Sequence, residues 1–294
     1  MAAAERKRYP VRTIRLLLRV FACLPLRASR VLASGVASLT WHLKLRAART
    51  TIQNIEHCYR ELPTTEQRSL ARRSLWHTAC TVFELPAVWT SSYRRLQKWI
   101  RHVEGESLLT EGIQNGSVLL IVPHFGNWEF LSTYFNAITK YACMYSPRRL
   151  YELDELINQC RGRFGSEFLP VTRSGFRALV TRIREGGVVI VLPDQVPTEG
   201  QSVTSRFLGQ PLKTGTLAHS LLKRGGMKAL CIVAERCKGG FNIHIQDVDD
   251  AIYSADADVS VQALDHEIER MGELDPAQYQ WEYKRFRGCA EIYR

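Results

Sequence analysis

A chain of 294 residues with 45% apolar side chains is long enough to bury a full core, and its length favours one large α/β domain behind an N-terminal extension. Its eight cysteines are scattered with no C-x-x-C pair, which points away from a zinc framework or a disulfide scaffold and suits a reducing, cytosolic setting. The net charge of +11 is unevenly held: residues 1–101 carry 19 Lys and Arg against 5 Asp and Glu, while the remainder is slightly acidic. Such asymmetry indicates an anionic partner surface, nucleic acid or membrane.

Residues 14–45 decide between the two. Apolar blocks alternate there with Arg15, Arg19, Arg27 and Arg30. The longest charge-free stretch, residues 31–43, falls short of the roughly 20 apolar residues that a bilayer core requires. No small-residue cleavage site follows a clean apolar core, so the segment is a poor secretory signal. Interleaved arginines and aliphatics suit a segment lying among lipid headgroups, its arginines on anionic lipid. The alternatives are a basic amphipathic helix packed on the domain and a spanning helix that snorkels its arginines. A nucleic-acid surface would set these charges beside stacking aromatics or a known module, and neither is present. The division is therefore a membrane-associating segment at 1–48 and a catalytic-sized domain at 49–294.

Residues 47–101 read as helical, with a break at Pro63. T-T-E-Q then opens a helix over 68–88, with Thr64 or Thr65 as its cap and an apolar face at Leu70, Leu75, Ala79, Val82 and Phe83.

The stretch over 118–130, V-L-L-I-V-P-H-F-G-N-W-E-F, organises the rest. Its apolar run, bounded by Gly116 and Pro123, has the length and β-branched content of a buried strand. His124 leaves that strand's end. Asn127 is placed to cap a helix, W-E-F-L-S-T-Y-F-N-A-I, with Glu129 in its first turn. The C-terminal end of such a strand and the helix after it face the usual ligand crevice of open α/β sheets. An imidazole and a carboxylate five residues apart across that turn form a candidate base with its orienter.

Further along, Arg161 and Arg163 end a helix that follows the loop at 145–149. Two residues apart on a helix, they point about 200° apart, so at most one faces the crevice, where a guanidinium can clamp phosphate or an oxyanion. Residues 173–185 have helical spacing at Phe176, Leu179, Val180 and Ile183, and Gly186-Gly187 stops them. V-V-I-V-L is a second buried strand that ends in Pro193-Asp194-Gln195, leaving Asp194 free to orient His124, an arginine or a water. Lys213, Thr214 and Gly215 open a helix whose N-terminus suits an anion. Residues 229–234 and 241–248 form a hairpin around C-K-G-G, with His244 in a structural role, and a helix over 259–271 follows.

Three ordered blocks resemble one family. H-F-G-N-W-E resembles the H-x4-D/E signature of lipid acyltransferases, in particular the bacterial lipid A biosynthesis acyltransferases that add secondary acyl chains. The D-Q after a strand with R-F-L-G-Q-P-L-K-T is similar to that family's second block, Leu208 replacing a phenylalanine at a wall of the site. The tail P-A-Q-Y-Q-W-E-Y-K-R-F resembles its closing pattern, with Tyr283 where histidine is common and a structural role favoured. Asn54 and Ile55 resemble its upstream region.

The resemblance implies a glycerolipid-acyltransferase-like α/β fold, a mixed central sheet flanked by helices, and O-acyl transfer without metal or cofactor. It implies His124 as the base that deprotonates an acceptor hydroxyl, supported by Glu129. Asn127, Arg161, Arg163, Asp194, Gln195 and Thr214 are the accompanying candidates for substrate binding, oxyanion stabilisation or orientation. The expected partners are an acyl carrier protein as donor, with coenzyme A left open, a lipid A precursor and the membrane, at the cytoplasmic face of the inner membrane. A lysophospholipid or a mannosylated or other glycolipid stays open as acceptor. A non-enzymatic membrane-surface protein is disfavoured by the intact His124, Glu129 and Asp194.

Overall fold

A computed structural model describes residues 11–146, 151–197 and 200–293; the basic run at 5–10 and the loop at 147–149 lie outside the described residues. The chain opens with helices α1 (Val11–Ala22), α2 (Leu26–His42), α3 (Arg46–Cys58) and α4 (Thr64–Thr90). The cap position of α4 falls on Pro63, one residue ahead of the threonines expected there, and the helix runs on past its internal Pro86. Small residues let α2 and α4 approach closely: Ala33 and Ala37 are buried with Ala48, Leu75, Ala79 and Cys80. The outward side of α1 and α2 remains apolar, with Leu16, Leu17, Val20, Phe21, Val31, Leu32, Val36 and Leu39 exposed. No helix among the described residues is long and apolar enough to cross a membrane.

The remaining elements are α5 (Tyr93–Gln97), β1 (Ile100–Glu104), α6 (Glu106–Asn115), β2 (Ser117–Ile121), α7 (Leu131–Phe135), β3 (Tyr141–Tyr145), α8 (Tyr151–Gly162), β4 (Glu167–Pro170), α9 (Arg173–Arg184) and β5 (Val188–Val191). After them come β6 (Ser202–Phe207), β7 (Gln210–Gly215), α10 (Leu217–Leu222), β8 (Met227–Cys237), β9 (Gly240–Asp247) and α11 (Ala257–Gly272). Seven strands form one sheet in the order β1-β9-β8-β2-β5-β3-β4. Every pairing is parallel except the β8–β9 hairpin, so the sheet is mixed and mostly parallel.

Alternation along the central strands builds two cores. Val118, Leu120, Val188, Ile190, Leu230 and Ile232 face Phe130, Leu131, Tyr134 and Phe135, while Leu119, Ile121, Val189, Val191, Ala229 and Cys231 face Leu179, Leu221, Leu264 and Ile268. With helices on both sides, β2 is buried at every residue, which is why it reads as an unbroken apolar run.

Two expectations shift. No hairpin is expected over 202–215, where Lys213, Thr214 and Gly215 read as a helix start; β6 and β7 form one, and its turn places Leu208 at φ 49° and Gly209 at φ 74°, both positive as a type I′ turn requires. Leu208 therefore sits at a hairpin tip and not on a wall of the crevice. Arg30, expected on lipid, turns inward: its Nε donates to Glu84 at 2.9 Å, and its Nη1 and Nη2 to the carbonyls of Cys237 and Gly240 at 2.6 and 3.0 Å.

Candidate active site

Strands β2 and β5 are parallel neighbours with Ile121 opposite Val191. Each continues through one apolar residue and a proline, Val122-Pro123 and Leu192-Pro193, before its next residue. Three steps beyond the last paired residues, the register sets His124 beside Asp194. The carboxylate holds the histidine twice, with Oδ1 2.7 Å from the ring Nδ1 and Oδ2 accepting the His124 backbone N–H at 2.8 Å. Burial alone would raise the pKa of Asp194; the adjacent imidazole and, further off, Arg285 outweigh it and keep the group below the usual carboxylate range. An ionised Asp194 fixes the tautomer with the proton on Nδ1 and leaves Nε2 as the acceptor.

That Nε2 lies 3.1 Å from the side-chain amide nitrogen of Gln195, which also donates to Gln280 Oε1 at 3.2 Å. The Gln195 amide thus occupies the place of a hydroxyl donor to the imidazole. Trp128 packs edge-on against the ring, with centroids 4.8 Å apart.

The turn after His124 is sewn to its surroundings. Gly126 N–H donates to the Gln278 carbonyl, Asn127 N–H to the Ala234 carbonyl, and Gln280 N–H to the His124 carbonyl. Gly126 has φ +59°, and a Cβ there would stand 2.0 Å from the Ala234 oxygen, so only glycine fits. Asn127 is fully buried: its Oδ1 accepts from Phe130 N–H, and its Nδ2 donates to Glu84 at 3.0 Å. It caps the turn, as its position before Trp128 predicts, and anchors it to α4; it does not line the cleft, so of its candidate roles only an orienting one fits. Glu84, also fully buried, receives Arg30, Arg236 and Asn127 together, and Arg236 further donates to Thr81 Oγ1 at 2.8 Å. These two residues escaped sequence reasoning. Their signal is an acid and a base inside otherwise apolar runs, T-V-F-E-L-P and I-V-A-E-R-C.

Glu129 does not hold the imidazole, contrary to expectation. Asn127 winds Trp128–Phe130 into a 3₁₀ turn, in which successive side chains diverge by about a third of a turn, so Trp128 meets the ring while Glu129 faces α8. The expected helix is correspondingly short, α7 having five residues. Arg161 grips the Glu129 carboxylate through both Nε and Nη2, and Trp89 Nε1 donates to it at 3.1 Å. Burial would lower the Arg161 pKa, but Glu129 outweighs it and raises it. Of the two arginines, Arg161 faces the crevice; Arg163 donates to the carbonyls of Ser91 and Val88 at 2.5 and 2.8 Å and closes the end of α4.

Thr214 also departs from expectation. It lies inside β7, buried, donating to Asp265 at 2.7 Å and accepting from Arg285 at 2.8 Å, and the following helix starts only at Leu217. The closing motif is mainly scaffold: Gln278 bonds both backbone groups of Arg236, Tyr279 and Trp281 pack with Phe207, and Tyr283 Oη accepts from Val196 N–H.

A cleft of about 1170 Å³ opens over the C-terminal ends of β2, β5 and β3, lined by His124, Trp128, Glu129, Arg161 and Gln195. It straddles the sheet edge. On the α8 side its wall is mainly apolar, with Leu131, Phe135, Tyr141, Cys143, Phe168 and Ile190 around the Glu129–Arg161 pair; on the α9 side it is richer in polar groups, with Thr172, Arg173, Arg177, Gln201, Thr216 and Ser220 beside Val171, Phe176 and Leu217. A base between an apolar arm and a polar arm suits an amphiphilic substrate.

Comparison with known proteins places the chain among relatives. Residues 7–288 match the model of a family described as bacterial lipid A biosynthesis acyltransferase. The chain is similar to a lipid A biosynthesis acyltransferase of Haemophilus influenzae, 26% identical over 275 residues, covering 92% of this chain and 87% of that protein. It is also similar to two proteins of Escherichia coli. One is a lipid A biosynthesis palmitoleoyltransferase, 24% identical over 239 residues and covering 80% and 77% of the two chains. The other is a lipid A biosynthesis lauroyltransferase, 22% identical over 259 residues and covering 87% and 84%.

Proposed function

The chain belongs to the bacterial lipid A biosynthesis acyltransferase family and is an O-acyltransferase with a lipid A-type acceptor, and from that premise we propose how its own residues perform the transfer. The acceptor hydroxyl replaces the Gln195 amide at His124 Nε2. As its oxygen attacks the thioester carbon of an acyl carrier protein, Nε2 takes the hydroxyl proton. Asp194 holds the Nδ1 proton and stabilises the imidazolium that forms. The Gln195 amide, next to the reacting atoms, donates to the tetrahedral oxyanion. Collapse breaks the C–S bond, and the imidazolium returns its proton to the leaving thiolate. Glu129 and Arg161, clamped together, shape the wall beside the base, and the apolar arm takes the acyl chain.

The double hold of Asp194 on His124 carries this reading, because it fixes the tautomer in which Nε2, at the cleft, is the acceptor. The outward apolar side of α1 and α2, with Arg15, Arg19 and Arg27 close by, supports seating in one leaflet at the cytoplasmic face of the inner membrane.

The test is mass spectrometry of lipid products after incubation with acyl carrier protein thioesters and a tetra-acylated lipid A precursor. A gain of one acyl chain, absent with His124→Ala, is expected. An intact thioester and no gain would send the search to lysophospholipids and mannosylated lipids as acceptors.

A further inference from the structure

The cations of the two cleft walls are treated differently. On the α8 side, Arg161 is neutralised by Glu129. On the α9 side, Arg173 and Arg177 stand one helical turn apart and both line the cleft, and among the described residues neither guanidinium has a carboxylate or hydrogen-bond partner. Helix α9 contains no acidic residue. Its Arg182 is taken up by Glu167 and Glu185, away from the cleft. A third cation, Arg224, lies over the ring of Phe176 at 5.5 Å, beside the same arm. The same wall also carries Gln201, Thr216 and Ser220, neutral groups able to donate hydrogen bonds.

Two like charges one turn apart repel mildly and gain nothing for the fold. Unneutralised at one end of a ligand cleft, they focus positive potential on whatever enters. A guanidinium fork matches phosphate oxygens bidentately, and two forks one turn apart can share the three oxygens of a single phosphate.

We propose that the α9 arm is a phosphate subsite, in which Arg173 and Arg177 together bind a phosphate group of a substrate whose reacting atoms lie at His124. The subsite rests on the acyl-transfer reading of the cleft. Phosphate reaches it from one of two sources, a phosphorylated sugar headgroup of the acceptor or the phosphopantetheine arm of the donor.

The experiment compares the wild type with Arg173→Gln/Arg177→Gln and with Arg173→Lys/Arg177→Lys in acyl-transfer kinetics. One arm pairs a phosphorylated acceptor with its dephosphorylated form, and the other pairs an acyl-phosphopantetheine with the acyl-pantetheine that lacks its phosphate. In the wild type, loss of the phosphate from whichever substrate docks there raises KM about tenfold or more. In the glutamine variant that gap closes to less than about twofold, and the lysine variant keeps most of it; the arm that responds identifies the source. A gap that persists in the glutamine variant in both arms, or a loss equal for phosphate-bearing and phosphate-free substrates, overturns the subsite. Calorimetric titration with a bisphosphorylated glucosamine disaccharide and with phosphopantetheine reads binding without turnover, so it stands even if no acyl transfer is found. Binding of either by the wild type, lost in the glutamine variant, supports the subsite; binding of neither, or equal binding by both proteins, overturns it.

Discussion

Asp194 and His124 are 70 residues apart in sequence and joined by two hydrogen bonds, one to the ring and one to the backbone, so the carboxylate fixes both the tautomer and the position of the base. Asp194→Asn keeps the shape and removes the charge. It should lower kcat by about 10²- to 10⁴-fold with KM nearly unchanged, as expected where an imidazolium loses its counter-charge. Steady-state kinetics on the purified variant checks this. A loss confined to a raised KM would show that Asp194 is not acting through the base.

Glu129 and Arg161 act as a unit. Glu129→Gln and Arg161→Gln are each expected to reduce kcat/KM by about 10- to 100-fold, and the double variant to be no worse than the weaker single one. Additive losses in this cycle would assign the two residues separate tasks.

Gly126→Ala tests the turn that follows the base. Its φ of +59° and the 2.0 Å approach of an added Cβ to the Ala234 carbonyl leave no place for a methyl group. Chemical denaturation should show a loss of roughly 3 kcal/mol or more, combining backbone strain with a clash against main chain. Activity should fall with it.

His77 predicts a pH dependence of stability. Burial, and then the positive charges of Arg236, Arg73 and Arg30, lower its pKa to about 2. The folded protein thus refuses a proton that the unfolded chain accepts near pH 6.5. His77 supports folding fully above that value, and its support fades as pH falls toward about 2. Below about pH 6, the wild type should lose up to about 1.4 kcal/mol per pH unit more than His77→Gln, which keeps an acceptor for Arg236. Denaturation series for both proteins between pH 7 and 4 provide the comparison, and parallel curves would refute it.

If α1 rests in lipid, Leu16→Gln/Leu17→Gln withdraws two exposed leucines from it, each worth roughly 1.5–3 kcal/mol when buried. Partitioning onto vesicles of anionic phospholipid should weaken by at least about tenfold in sedimentation assays. Turnover of a detergent-dispersed substrate should hold.

Which parts of this molecule could be read from its residues follows from how local their causes are. The strand before His124 was legible because both of its faces are covered and every residue is apolar; α9 was legible because its apolar positions repeat at helical spacing. The repeated pattern of strand, proline and polar residue put His124 and Asp194 at equivalent strand ends, but their pairing needed the β2–β5 register, which no local signal records. The partner of Glu129 was hidden because it depends on the 3₁₀ winding of one segment against the rotation of α8. The β6–β7 hairpin was hidden because its turn starts with leucine, a residue that seldom takes a positive φ. Thr214 was misplaced for the same reason, since without the hairpin its residues read as a helix start.

The carboxylate of Glu84 joins α2, through Arg30, to the turn that bears the base, through Asn127. This matters to anyone preparing the protein for study. Trimming the chain to begin at α3 would look like a convenient way to shed a greasy leader, yet it would remove one of the two cations that hold Glu84 and uncover the small-residue seam along α4. Solubility is better sought by replacing outward residues such as Val31 and Leu39, which leaves the handle attached to the machinery it steadies.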